Sequence, residues 1–251
     1  MSMDEEMLDG KTLLVVDDEP DLREIVASEL EFMGARVFQA ENVAAAKKVL
    51  SEQKIDLIVS DIRMPGGTGI DLLDFVKAKN VDIPPVILIT GFADITVSDA
   101  FNKGAEALMN KPFKLDDLVK TVARFTKSGD ERFLDPDLKG TKLLEIEMGK
   151  SYQECIDANE CSIGRGGITV RWNTGGKRIE QGEPLDLRLV FSDLELKGIV
   201  ICRWAKQLDQ SHYAEIGLEF VSISGNSLVF FMEQWKDKNL VPFISTTDSI
   251  S

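Results

Sequence analysis

The sequence predicts a two-part chain: an α/β doubly wound, five-stranded parallel sheet, followed by a small antiparallel β-barrel with a C-terminal helix. Three observations predict it. Short apolar runs such as Thr12-Leu-Leu-Val-Val16 recur through the first half with helical segments between them, as strands buried on both faces of a parallel sheet do. From about residue 139 short strands separated by Gly, Pro and Asp turns take over. At 251 residues the chain favours two domains.

Residues 1–10 read as an N-terminal extension and 11–127 as the first domain. Its strands are predicted at 12–16, 35–39, 55–60, 85–90 and 106–110, and its helices at 20–33, 43–52, 69–79, 93–103 and 115–127. Pro20 suits the first turn of the opening helix, Leu22, Ile25, Val26, Leu30 and Met33 give it an apolar face, and Gly34 stops it. Residues 128–138 read as a linker. The second domain, 139–240, has strands predicted at 141–147, 151–158, 167–172, 185–191, 195–205 and 212–221. A closing helix at 226–237 presents Leu228, Phe231, Met232 and Trp235 to a core. The polar tail, 241–251, is predicted to be disordered.

The net charge of −14 is shared: residues 1–129 hold 15 Lys and Arg against 23 Asp and Glu, and residues 130–251 hold 14 against 20. Neither half has the positive field of a nonspecific nucleic-acid binder. No basic recognition helix follows residue 130, so no DNA-binding output is expected. The three cysteines and single histidine, His212, make neither a disulfide framework nor a zinc pattern. No stretch reaches the roughly 18 to 20 consecutive apolar residues of a membrane span, and the first residues lack a signal-peptide pattern. The expectation is a cytoplasmic protein with no membrane insertion.

Asp17 and Asp18 follow the first strand and Asp61 closes the third, so the topology gathers three carboxylates at one sheet edge. Such crowding calls for a cation, and Mg²⁺ commonly uses one or two carboxylates with phosphate oxygens and water. A carboxylate there can attack phosphorus to form an aspartyl phosphate. Thr90 ends the fourth strand and can offer a hydroxyl to a phosphoryl oxygen; Lys111, past the fifth, can bring a cation. Pro112 can hold that loop through a cis peptide. Any one acid here could be a helix cap, but the ordered set is far harder to obtain by chance. An alternative use of the cluster, as a metal-dependent phosphatase, lacks a separate base: His212 lies among strand residues, and no multiple-turnover enzyme is expected.

Val15-Val-Asp-Asp-Glu-Pro20, Ser60-Asp-Ile-Arg-Met-Pro65, Ile89-Thr-Gly91 and Asn110-Lys-Pro-Phe113 resemble the response-regulator receiver family over residues 11–127. The resemblance implies a two-component regulator phosphorylated on Asp61 by a sensor histidine kinase. It implies Mg²⁺ held by Asp17, Asp18, Asp61 and the backbone carbonyl of Arg63, with Thr90 and Lys111 sensing the phosphoryl group. The chain departs from the family at Leu108, the switch position where an aromatic residue is usual. The resemblance also implies a signalling surface, and a homodimer contact, on the 93–125 face.

Leu185-Asp-Leu-Arg-Leu-Val-Phe191, Gly198-Ile-Val-Ile-Cys-Arg-Trp204 and Ala214-Glu-Ile-Gly-Leu-Glu-Phe220, with the closing helix, are similar to the PilZ family of barrels, many of which read cyclic di-GMP. That family grips the dinucleotide with two arginines four apart and an Asp/Asn-x-Ser-x-x-Gly segment. Here Arg132 stands alone, and Asn159-Glu-Cys-Ser-Ile-Gly164 fits only with Cys161 in place of serine; aligned on Ser162, it puts Arg165 where glycine is expected. Gly164-Arg-Gly-Gly167 reads as a tight turn, with a phosphate nest as the alternative. Two missing bidentate arginines remove charge-assisted bonds worth roughly 1.5–3 kcal/mol each. Cyclic di-GMP is therefore disfavoured, and the expected output is a protein-interaction module with an unidentified protein partner.

Overall fold

The computed structural model describes residues 7–79, 84–91, 95–127, 129–133, 139–175, 179–208, 212–238, 242–245 and 247. The chain divides into two compact units, Met1–Thr96 with Lys103–Ser128, and Val97–Asn102 with Gly129–Ser251.

The first unit runs β1 (Thr12–Val16), α1 (Pro20–Phe32), β2 (Arg36–Ala40), α2 (Val43–Glu52), β3 (Leu57–Asp61), α3 (Gly69–Lys79), β4 (Val86–Thr90), β5 (Ala107–Asn110) and α5 (Leu115–Phe125). The helix between β4 and β5, α4 (Val97–Asn102), groups with the second unit. The sheet is parallel with strand order β2-β1-β3-β4-β5, the doubly wound order that leaves functional groups at the carboxyl ends of the strands. Every residue of β3 and β4 is buried, which explains the apolar runs Leu57-Ile-Val59 and Val86-Ile-Leu-Ile89 that lead to their polar ends. Pro20 opens α1 as expected, and Asn42 caps α2 by accepting from the Ala45 N–H at 2.9 Å. The N-terminal extension is not all peripheral: Leu8 is fully buried and its N–H donates to the Met33 carbonyl at 2.9 Å.

The second unit contains β6 (Lys142–Glu147), α6 (Tyr152–Asp157), β7 (Cys161–Ile163), β8 (Gly167–Asn173), β9 (Pro184–Val190), β10 (Glu195–Gln207), β11 (Tyr213–Ile223) and α7 (Asn226–Lys238). Its six-stranded sheet has order β6-β9-β10-β11-β8-β7. The sheet is mixed rather than wholly antiparallel, because β6 pairs parallel to β9. The long crossover between those strands makes that pairing feasible. The core gathers Ile146, Ile168, Val170, Leu189, Val200, Leu218, Phe220 and Phe231 with all three cysteines, which are buried free thiols.

Three further expectations differ from the structure, and one strand is new. The strand predicted at 151–158 is helix α6. Ser151 accepts from the Glu154 N–H while Glu154 accepts from the Ser151 N–H, and the buried Tyr152 and Cys155 are three residues apart on the inner face. Strand β7 was not anticipated. Within the predicted linker a 3₁₀ turn at Gly129–Phe133 sends Phe133 into the core, its ring centroid 5.2 Å from that of Phe231; residues 128 and 134–138 lie outside the described set. The tail is not uniformly disordered, since Phe243, Ile244, Ser245 and Thr247 are buried. Residues 241, 246 and 248–251 of that tail lie outside the described residues. In α7, Phe231 is buried and Leu228 and Met232 pack partly on the core, while the Trp235 side chain lies outside the described residues. Among the described residues, no helix is long and apolar enough to cross a membrane.

Candidate functional site

Asp17 directly follows β1, Asp61 ends β3, Thr90 ends β4 and Lys111 directly follows β5, so the topology sets all four along the carboxyl edge of the parallel sheet. Backbone bonds fix these positions: Asp17 N–H donates to the Ala40 carbonyl at 3.2 Å, Ile62 N–H to Ile89 at 2.9 Å and Lys111 N–H to Thr90 at 2.7 Å.

The side chains converge. Lys111 Nζ lies 2.7 Å from Asp61 Oδ1, 3.2 Å from Asp17 Oδ2 and 3.4 Å from Glu19 Oε1. The remaining oxygens are held by backbone donors, Asp17 Oδ1 by Glu19 N–H at 2.8 Å and Asp61 Oδ2 by Arg63 N–H at 2.7 Å. Asp17 and Asp61 are both buried, Asp18 beside them is half-buried, and Thr90 is buried at its strand end. Burial raises the Asp17 carboxyl above its ordinary range and outweighs the Glu19 N–H and the Lys111 charge. Burial opposes the Lys111 ammonium as well, but the bond to Asp61 and the charges of Asp17 and Asp61 win, pushing its pKa up to about 12.

Among the described residues, no group of three or more His, Cys, Asp or Glu side chains is gathered into a ready-made metal cage. The pair of buried carboxylates, one disfavoured as an anion, offers hard-oxygen donors of the kind a cation that retains several waters can use. The Lys111–Pro112 peptide is cis. Leu108 is half-buried on β5, in register with Leu88. His212 is exposed.

Two contributors escaped the sequence reading. Glu19 is the third carboxylate on Lys111. Gly69 passes so close to the site that a Cβ there would stand 2.2 Å from the Asp61 carbonyl oxygen, and the run Gly66-Gly-Thr-Gly69 signalled such an approach.

The second group of residues is arranged differently. Asn159 takes a left-handed conformation at φ 53° between α6 and β7, and Cys161 and Ser162 are buried in β7. Arg132 is half-buried in the 3₁₀ turn. The N–H groups of Gly164, Arg165 and Gly166 donate to the carbonyls of Gly167, Pro242 and Phe243 at 2.9, 2.9 and 2.7 Å. The phosphate-nest alternative is therefore corrected: those donors are engaged within the fold. Arg165 is turned inward, 1% exposed, with its guanidinium 6.0 Å from the centroid of the Phe243 ring.

Residues 13–123 match the family model of the response regulator receiver domain. Over 126 residues the chain is 38% identical to the phosphate regulon transcriptional regulatory protein PhoB of Pseudomonas aeruginosa, covering 48% of this chain and 55% of that protein. Over 180 residues it is 35% identical to the response regulator protein PilR of the same organism, covering 67% of this chain and 40% of that protein. The chain thus spans about half or less of these curated relatives. Among solved structures, the receiver domain of NtrX from Brucella abortus is 32% identical, covering 47% of this chain and 99% of that one with a TM-score of 0.44. TrrA of Thermotoga maritima, solved with Mg(2+)-BeF, is 32% identical, covering 46% and 98% with a TM-score of 0.41.

Proposed function

With residues 13–123 a response regulator receiver domain, we propose that the chain is a two-component regulator that takes a phosphoryl group on Asp61 and signals through its second unit, a PilZ-like protein-interaction module. The observation that carries the first part is the bridge in which one ammonium, Lys111, contacts both buried carboxylates.

In this reading a carboxylate oxygen of Asp61 attacks the phosphorus of a phosphohistidine on a sensor kinase. The P–N bond breaks, its electron pair leaves with the imidazole, and an acyl phosphate forms on Asp61. Asp17, Asp18, Asp61 and the Arg63 carbonyl would hold Mg²⁺, which would supply charge neutralisation at the phosphoryl oxygens. Lys111 already stands beside the acceptor and can follow a new anionic oxygen. Thr90 can donate its hydroxyl to a second one. The Arg63 N–H fixes the acceptor's other oxygen. The role of Leu108 as a switch and a homodimer through the 93–125 face belong to the same reading, as does a cytoplasmic location beside the kinase.

For the output, engagement of the Gly164–Gly166 N–H groups and inward burial of Arg165 argue against cyclic di-GMP at that turn. The name of the PhoB relative raises DNA binding, but 14 cationic against 20 anionic residues in 130–251 oppose it. Acetyl phosphate with Mg²⁺ should add one phosphoryl group to the wild-type chain, measured by intact mass, and none to Asp61→Asn. A covalent label on Asp61→Asn would sink the assignment. Repeated turnover of a phosphate ester would make the chain an enzyme and not a phosphoacceptor.

A further inference from the structure

Within the second unit, the Pro242–Ser245 segment is seated like a bound peptide. Arg165 N–H donates to the Pro242 carbonyl and Gly166 N–H to the Phe243 carbonyl, at 2.9 and 2.7 Å. Thr247 donates from its N–H and its Oγ1 to Glu215 Oε1 at 3.0 and 2.8 Å. The Phe243 ring lies on Gly166, where a Cβ would stand 2.0 Å from it, and a Cβ on Gly164 would stand 2.5 Å from the Phe243 carbonyl oxygen. Two glycines are therefore required by the seat and not by the turn, since neither has positive φ.

The other side of the segment holds α4. Phe243 N–H donates to the Phe101 carbonyl at 2.8 Å, and the two rings meet at 5.9 Å. Phe101 belongs to the last turn of a six-residue helix, where carbonyls have no partner inside the helix. A helix that short is not stable by itself. Its order rests on what covers it: Ala100 and Phe101 are 0% and 2% exposed, and Phe243 and Ile244 are 2% and 0% exposed.

We propose that Pro242–Ser245, anchored by Thr247, is a built-in peptide ligand of the second unit that caps and clamps α4, and that its release is the switched step in signalling. The last clause rests on the response-regulator reading; the clamp does not. The ligand class is a Pro-Phe-Ile segment read through its backbone and one aromatic anchor.

Amide hydrogen exchange on the full chain tests it. Phe243→Ala removes the anchor. Gly166→Ala keeps the Phe243 side chain but fills its seat, so the proposal does not hang on one core truncation. In both, the α4 amides should exchange at least about tenfold faster, while β10 and β11 keep their wild-type protection. Unchanged α4 exchange in both variants, or equal acceleration throughout β10 and β11, would overturn the clamp. A signalling arm adds acetyl phosphate and Mg²⁺ to the wild-type chain. If intact mass shows the phosphoryl group, residues 242–247 and α4 should lose protection, and Asp61→Asn should not respond. Labelling without that loss overturns the switched release, whereas no labelling overturns the phosphoacceptor reading and leaves the clamp to the two variants.

Discussion

Replacing Lys111 by methionine should make the first unit depend on a divalent cation for its stability. Its Nζ is 2.7 Å from Asp61 Oδ1 and 3.2 Å from Asp17 Oδ2. Those oxygens can therefore be no more than about 6 Å apart, and at an effective dielectric near 20 two unit charges at that separation repel by about 3 kcal/mol. The Lys111 side chain is 21% exposed, so water screens part of this, and a loss of about 2–3 kcal/mol in EDTA at pH 8 is expected. Mg²⁺ should restore most of it. The sign with pH is fixed by Asp17, whose carboxyl burial already raises. Without Lys111 it rises further, so lowering the pH protonates it, removes the repulsion and shrinks the loss. All tryptophans and tyrosines lie in the second half of the sequence, so exchange of β1 and β3 amides is the suitable assay. An equal loss with and without Mg²⁺, at pH 8 and pH 5 alike, would show that Lys111 acts through packing and refute the electrostatic account.

Three further outcomes concern the second unit. Ser151→Ala should cost about 1 kcal/mol by removing the cap on α6, and Ser151→Gly only a few tenths; equal losses in urea unfolding would mean the cap is not the cause. Gly217→Ala puts a Cβ 2.2 Å from the Trp204 indole and should cost about 1–3 kcal/mol by overpacking, with a shift in tryptophan emission; an unshifted spectrum at full stability would refute it. Burial pushes the Cys202 thiol from 9.0 up to about 11. A raised folded value means its contribution is complete below the unfolded pKa and is lost as pH climbs from about 9 through about 11, at most about 3 kcal/mol in all. Comparing stability against pH for wild type and Cys202→Ala should show a shallower alkaline decline in the variant, and identical curves would refute the linkage.

The acidic edge of the first unit was legible because its geometry follows from topology. A parallel sheet whose strands are apolar runs must put the next residue of each strand on one rim, so Asp17, Asp61, Thr90 and Lys111 could be placed from the run ends. Helix α6 was misread for a local reason: the apolar positions of 151–158 admit more than one period, and the Ser151-x-x-Glu154 capping signature was the better guide. The parallel pairing of β6 with β9 had no local signal, since hairpin chemistry reports neighbours in sequence and this pair is separated by α6, β7 and β8.

Burial of charge was the least legible property. Along β11 the alternation Ala214-Glu-Ile-Gly-Leu-Glu-Phe220 reads as one wet and one dry face, yet Glu215 and Glu219 are only 2% and 1% exposed. Burying a carboxylate is costly unless it is partnered, and the partners here come from elsewhere in the chain: Thr247 and Arg171 for Glu215, Arg203 for Glu219. Glu219 is thus compensated from the adjoining strand β10, while Glu215 draws donors from the neighbouring β8 and from the distant Thr247. The same residues that looked like a free tail, Pro242 to Thr247, supply part of that compensation. Removing the whole segment should therefore leave Glu215 without its two Thr247 donors, a loss that Phe243→Ala and Gly166→Ala, which keep Thr247, do not impose on β11.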